Sequence, residues 1–175
     1  MEKDELKKLA LNVARLAGSA RLQDIAFLVQ DGELQGGVSV LSVLERLDPG
    51  TYLIGAGPYT QGVHLLRGGE TVIGRLATPL EEPKNEAVDI FVNDAPAFVP
   101  REVSRIHAVI TRSGDSYWLL DRGSTCGTYI NGEKLKLQPA LSFEDIAPTG
   151  RELKHGDVIS LGPSHVNVFI FASIS

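Results

Sequence analysis

The chain has 175 residues, 43% of them apolar and 22% charged, with a formal net charge of −5 at pH 7, which suits one soluble globular domain with a sizeable core and a short extension. Neither end is basic, since residues 1–50 hold 6 basic against 8 acidic side chains and residues 51–175 hold 11 against 14, and this excludes a general nucleic-acid coat. A single Cys excludes an internal disulfide, no signal-peptide pattern is found, and the longest apolar runs, Ile25–Val29 and Val166–Ala172, fall far short of a bilayer span. The expected compartment is the cytoplasm.

Residues 2–17 set Leu6, Leu9, Ala10, Val13, Leu16 and Ala17 on one face at helical spacing, with Gly18 placed to end the helix. A weaker helical pattern, Leu22, Ile25, Ala26 and Val29, follows Ser19 and stops before Asp31-Gly32. Residues 38–47 suit a helix by spacing and a strand by their Val content, and Asp48-Pro49-Gly50 ends that segment. The first 48 residues are therefore expected to form a helical extension, packed on the domain or used for self-association.

From residue 49 onward the texture changes to short apolar runs punctuated by Gly, Pro, Asn and Asp, the spacing of a β sandwich. Strands are expected at 51–55, 63–67, 71–75, 88–92, 105–112, 116–121, 128–130, 134–137, 157–161 and 166–172. Two stretches rich in Pro, within about 76–103 and 138–150, read as loops inserted into this mainly β domain of two antiparallel sheets with about 10 or 11 strands.

Chemistry gathers at the expected strand ends. Thr71-Val72-Ile73-Gly74-Arg75 is a strand ending in an Arg, and an isolated Gly-Arg usually marks no more than a surface side chain. In Ser104-Arg105-Ile106-His107 the hydroxyl and guanidinium stand at the mouth of a strand whose period of two runs through Ile106, Ala108 and Ile110. Ser124-Thr125-Cys126-Gly127-Thr128 follows another strand and makes a tight turn of small and hydroxyl residues whose backbone N–H groups suit an anion. Asn131-Gly132 is a two-residue hairpin signal, and Gly156-Asp157 is a further turn.

Taken in order, Gly74-Arg75, Asp89-Ile90, Ser104 to His107, Ser124 to Thr128, Asn131-Gly132 and Leu153 to Asp157 resemble the motifs of a forkhead-associated (FHA) domain, over roughly residues 51–175. The resemblance implies a non-catalytic module that binds phosphothreonine peptides. Arg75 and Ser104 would hold the phosphate, with Arg105 and Thr125 adding donors. Gly74, His107, Gly127 and Asn131 would support the loops. A phosphothreonine carries close to two negative charges and three acceptor oxygens, which a guanidinium grips through paired hydrogen bonds. Partners would be a protein phosphorylated on Thr, or the Ser/Thr kinase itself.

Two departures stand out. Where the family has an Asn that clamps the peptide main chain, this chain has Cys126, and a thiol lacks the paired amide donor and carbonyl. The insert between Arg75 and Ser104 carries Glu81-Glu82-Pro83-Lys84-Asn85-Glu86, which reads as a solvated acidic loop, or as one that shapes specificity or repels acidic peptides.

Other classes fit less well. Tyr52-Leu53-Ile54-Gly55-Ala56-Gly57 begins like a dinucleotide fingerprint, but Thr60 stands where its third Gly belongs and the following residues look like a strand. A Cys126–His107 nucleophilic pair lacks an orienting third residue, and the four His have no metal-ligand spacing with the single Cys. No cofactor or metal is expected. A scaffold of the same fold that binds its partner without phosphate is the remaining alternative.

Overall fold

The computed structural model describes residues 25–30, 33–39, 43–57, 60, 62–75, 88–92, 102–136 and 150–175. Ahead of the sandwich, β1 (Ile25–Gln30) pairs antiparallel with β2 (Glu33–Ser39) in a hairpin of its own. This corrects the helix expected over residues 22–29. Gln30 pairs with Glu33 across Asp31-Gly32, so a two-residue hairpin signal and the β-branched and aromatic content of Ile25, Phe27 and Val29 outweigh a helical spacing spread over barely two turns. Of the ambiguous segment 38–47, the first two residues close β2, while residues 43 and 44 are helical. The helix expected over 2–17 and most of the two inserts lie outside the described residues.

Among the described residues, eleven strands then form two sheets. They are β3 (Gly50–Gly55), β4 (Val63–Leu65), β5 (Glu70–Arg75), β6 (Ile90–Val92), β7 (Ala108–Ser113), β8 (Ser116–Asp121), β9 (Thr128–Ile130), β10 (Glu133–Lys134), β11 (Arg151–Leu153), β12 (Val158–Leu161) and β13 (Val168–Ile174). One sheet has the order β10-β9-β12-β13-β3-β4 and the other β11-β8-β7-β5-β6. All pairings are antiparallel except β5 with β6. The expected mainly β sandwich is the observed fold, and ten of the eleven strands fall on predicted runs. The strand not foreseen is β11, a three-residue edge piece pairing with β8, too short to show an alternation of its own.

Alternation along the strands explains the layering. Leu53, Phe169 and Phe171 turn inward with Ile73, Ile110, Leu119 and Ile159 to fill the space between the sheets. Tyr52, Ile54, Val168, Ile170 and Ala172, on the opposite face of the same strands, are buried with Val43 and Leu44. Burial of both faces is why residues 166–172 read as a nearly continuous apolar run. Each large aliphatic side chain sealed this way contributes about 1.5–3 kcal/mol. The end of the extension at Val43 and Leu44 thus packs on its own sandwich.

β3 continues into β4 and not into a helix. Between them Thr60 is fully buried, accepts a hydrogen bond from the Gly57 N–H at 2.9 Å and donates to the Val168 carbonyl at 2.6 Å. The glycines of the apparent dinucleotide fingerprint serve this tight loop, where a Cβ on Gly57 would lie 2.1 Å from the Val166 carbonyl oxygen. Among the described residues no helix is long and apolar enough to cross a membrane.

Candidate functional site

The end of β5, the segment 102–107 and the loop 122–127 meet at one end of the sandwich. Their meeting depends first on Gly74. A Cβ there would lie 1.9 Å from the Arg105 carbonyl oxygen, so only glycine lets the chain at Ser104-Arg105 cross the end of β5 at this distance. The crossing is fastened by the Arg75 N–H, which donates to the Ser104 carbonyl at 3.1 Å. Arg75 is half-buried and Arg105 exposed.

Ser104 joins all three pieces. Its carbonyl takes the Arg75 N–H, its own N–H donates to His107 Nδ1 at 3.0 Å, and its Oγ accepts the Thr125 N–H at 3.2 Å. With Oγ accepting, the hydroxyl proton has no acceptor among the described residues and is available to a ligand oxygen.

His107 is fully buried. Because Nδ1 accepts from Ser104, the ring proton sits on Nε2, which donates to the Gly127 carbonyl at 3.1 Å. The backbone of His107 is held as well, by its N–H to the Ile73 carbonyl and by the Arg122 N–H to its own carbonyl, both at 2.9 Å. The imidazole therefore spans the two loops, and with both ring nitrogens engaged it offers no base to the half-buried thiol of Cys126.

A carboxylate builds the other loop. Asp121, the last residue of β8, accepts from the Ser124 N–H at 2.8 Å, the Ser124 hydroxyl at 2.5 Å and the Thr128 hydroxyl at 2.6 Å. Burial alone would push its pKa up. The hydrogen bonds from the Ser124 side chain, the Thr128 side chain and the Ser124 backbone outweigh that and hold it below the ordinary value. Ser124 Oγ in turn accepts the Gly127 N–H at 2.9 Å. Gly127 has φ of +90°, a conformation that strains any other residue. The outcome is a rigid turn that leaves Thr125 exposed and Cys126 half-exposed at its tip.

Asn131 serves a neighbouring turn. It has φ of +51° and Gly132 of +84°, the pair of positive values that a two-residue hairpin needs. Its side-chain amide donates to Asp157 Oδ1 at 2.8 Å while its carbonyl accepts the Val158 N–H at 2.9 Å. It ties the β9–β10 hairpin to the start of β12.

The FHA domain family model matches residues 71–162, more than half of the chain. The chain belongs to the FHA domain family. Protein FraH of Nostoc sp. is 41% identical over 69 residues, a stretch covering 39% of this chain and 20% of FraH, so the chain spans only a fifth of that relative's length. Solved FHA domains share the fold. That of an Arabidopsis thaliana hypothetical protein superposes with a TM-score of 0.52 at 22% identity, covering 73% of this chain and 87% of that one. Mycobacterium tuberculosis EmbR, solved in complex with a low-affinity phosphopeptide, gives a TM-score of 0.50 at 22% identity over 77% of this chain and 29% of its own. The FHA domain of CT664 from Chlamydia trachomatis gives 0.50 at 19% identity, covering 71% and 98%.

Within this FHA domain the structure brings Arg75, Ser104, Arg105, Thr125 and Cys126 to one rim, while Gly74, His107 and Gly127 lie beneath them and Asn131 stands beyond β9. Sequence reasoning passed over Asp121, which looked like the polar end of a strand. Its signal was an Asp followed at short range by the hydroxyl residues Ser124 and Thr128, since a short Asp side chain readily accepts hydrogen bonds from nearby backbone and side-chain donors.

Proposed function

We propose that this FHA domain is a non-catalytic, phosphothreonine-dependent protein interaction module whose ligand phosphate is held by Arg75 and Ser104, with Arg105 and Thr125 as further donors. The observation that carries the reading is Ser104. Its carbonyl, N–H and Oγ fix the end of β5, His107 and the Thr125 backbone around it, yet its hydroxyl proton remains uncommitted among the described residues. That proton, a neighbouring guanidinium and the donors of the loop tip suit a tetrahedral dianion. The phosphopeptide bound to EmbR supports the same use of the fold. The partner is a protein phosphorylated on Thr, or its kinase, met in the cytoplasm, and residues 1–48 offer a means of self-association.

The test is a titration of matched phosphorylated and unphosphorylated Thr peptides. Arg75→Ala is expected to weaken binding by about 2 kcal/mol and Ser104→Ala by about 1.5 kcal/mol, the cost of losing hydrogen bonds to a charged group. Equal binding of the two peptide forms would replace this reading with a phosphate-independent scaffold. Cys126 favours keeping that alternative in the experiment, because the thiol cannot clamp a peptide main chain. If the missing clamp limits affinity, Cys126→Asn raises it by about 1 kcal/mol, measured on the same peptides; an unchanged Kd would refute a limiting clamp.

A further inference from the structure

We propose that Lys134 is a specificity-determining residue of the phosphopeptide site, taking a carboxylate side chain of the ligand near its phosphothreonine. The inference rests on the phosphate-dependent reading above and adds the chemistry of the flanking peptide. The β9–β10 hairpin sets Lys134 opposite Tyr129, and the next residue, Leu135, donates its N–H to the Thr128 carbonyl at 2.8 Å. Lys134 therefore runs beside the start of β9 and onto Gly127. A Cβ on Gly127 would lie 2.4 Å from Lys134 Cε, 3.4 Å from Cδ and 3.2 Å from Nζ. The bare face of the glycine is thus the bed of the lysine stem, and it brings the ammonium against the loop that carries Thr125 and Cys126.

Elimination strengthens the assignment. The polar groups of this loop are largely spent on holding its shape: the Ser124 and Thr128 hydroxyls on Asp121, the Gly127 N–H on Ser124, and the Gly127 carbonyl on His107 and the Gly162 N–H. Cys126 supplies only a weak donor. No hydrogen bond or ion pair engages the Lys134 ammonium among the described residues, and the adjacent Glu133 is bound to Arg151 at 2.9 Å. The ammonium is thus a charged donor beside the loop tip where the family's amide is missing. An extended peptide advances about 3.3–3.6 Å per residue, so the positions within three residues of the phosphothreonine, roughly 10 Å to either side, are the ones to test against it.

The experiment measures Kd at low salt for phosphothreonine peptides in which Glu or Gln occupies each position within three residues of the phosphothreonine, on the wild type, Lys134→Met and Lys134→Arg. Met keeps the stem over Gly127 and removes the charge. At one or more positions the wild type should favour Glu over Gln by about fivefold, the upper range for an exposed ion pair. That ratio should fall to about one in Lys134→Met and return in Lys134→Arg. A Glu preference that survives in Lys134→Met, or none at any position in the wild type, overturns the proposal. If the wild type binds no phosphothreonine peptide at all, the phosphate-dependent reading has failed, and this inference fails with it.

Discussion

Gly74→Ala is expected to destabilise the domain by about 3 kcal/mol and to abolish phosphopeptide binding in whatever fraction remains folded. The added methyl would sit 1.9 Å from the Arg105 carbonyl oxygen and 2.8 Å from its carbon, both backbone atoms. No side-chain rotation relieves such a contact, so the crossing segment must lift. Overpacking of this kind costs about 1–3 kcal/mol by itself. Lifting Ser104-Arg105 also breaks the Arg75 N–H bond to the Ser104 carbonyl, worth about 1 kcal/mol more, and pulls on the two bonds that join Ser104 to His107 and Thr125. Gly69→Ala is the control, because nothing lies within 4 Å of a Cβ there, and its urea-unfolding midpoint should match or slightly exceed that of the wild type. A Gly74→Ala protein with wild-type stability and affinity would show that the close approach is not what locates Ser104.

The sandwich was legible because its strands carry their own evidence. Apolar runs such as 117–120 and 166–172 are bounded by turn residues, although the period of two expected through Ile106, Ala108 and Ile110 fails: Ile106 precedes β7 and is exposed, while Val109 is buried beside Ala108 and Ile110. Legibility failed where a run was short enough for two periodicities to fit. Ile25, Ala26 and Val29 satisfy a helix, yet the segment pairs as β1, since partner strand and turn lie outside the window in which spacing is judged. At the site, residue types and their order marked the ends of β5, β7 and β8. What no local pattern encodes is the contact of Gly74 with Arg105, of Ser104 with Thr125, or of Gly127 with Lys134. The first two join positions 31 and 21 residues apart and exist only once strands and loops converge, while the third needs the β9–β10 hairpin to fold back on itself. Asp121 was hidden for a different reason: a carboxylate closing a strand is usually solvated, and although its three donors lie only three and seven residues on, spacing alone does not show that they turn back onto it.

Asp121→Asn should cost about 3 kcal/mol at pH 7, with a loss that is itself pH-dependent. Both carboxylate oxygens are engaged, Oδ1 by the Ser124 N–H and Oδ2 by the hydroxyls of Ser124 and Thr128. An amide reproduces one oxygen and presents two N–H donors where two hydroxyls now donate. Hydrogen bonds to a charged group contribute about 1.5–3 kcal/mol, and a donor left buried without an acceptor adds its own desolvation cost. The damage should reach the binding loop, because Ser124 Oγ also receives the Gly127 N–H and Gly127 anchors His107. The carboxyl's folded-state pKa lies below its ordinary value of 3.8. Its stabilisation is therefore fully present above the unfolded-state pKa of about 3.9 and is lost as the pH falls through the lower folded value. Every other carboxylate is common to both proteins and cancels in their difference. Urea unfolding of wild type and Asp121→Asn should give a constant stability gap from about pH 5 to 8 that narrows below about pH 4. A gap that stays constant into acid would mean that the charge on Asp121 contributes nothing and that only its shape holds the loop.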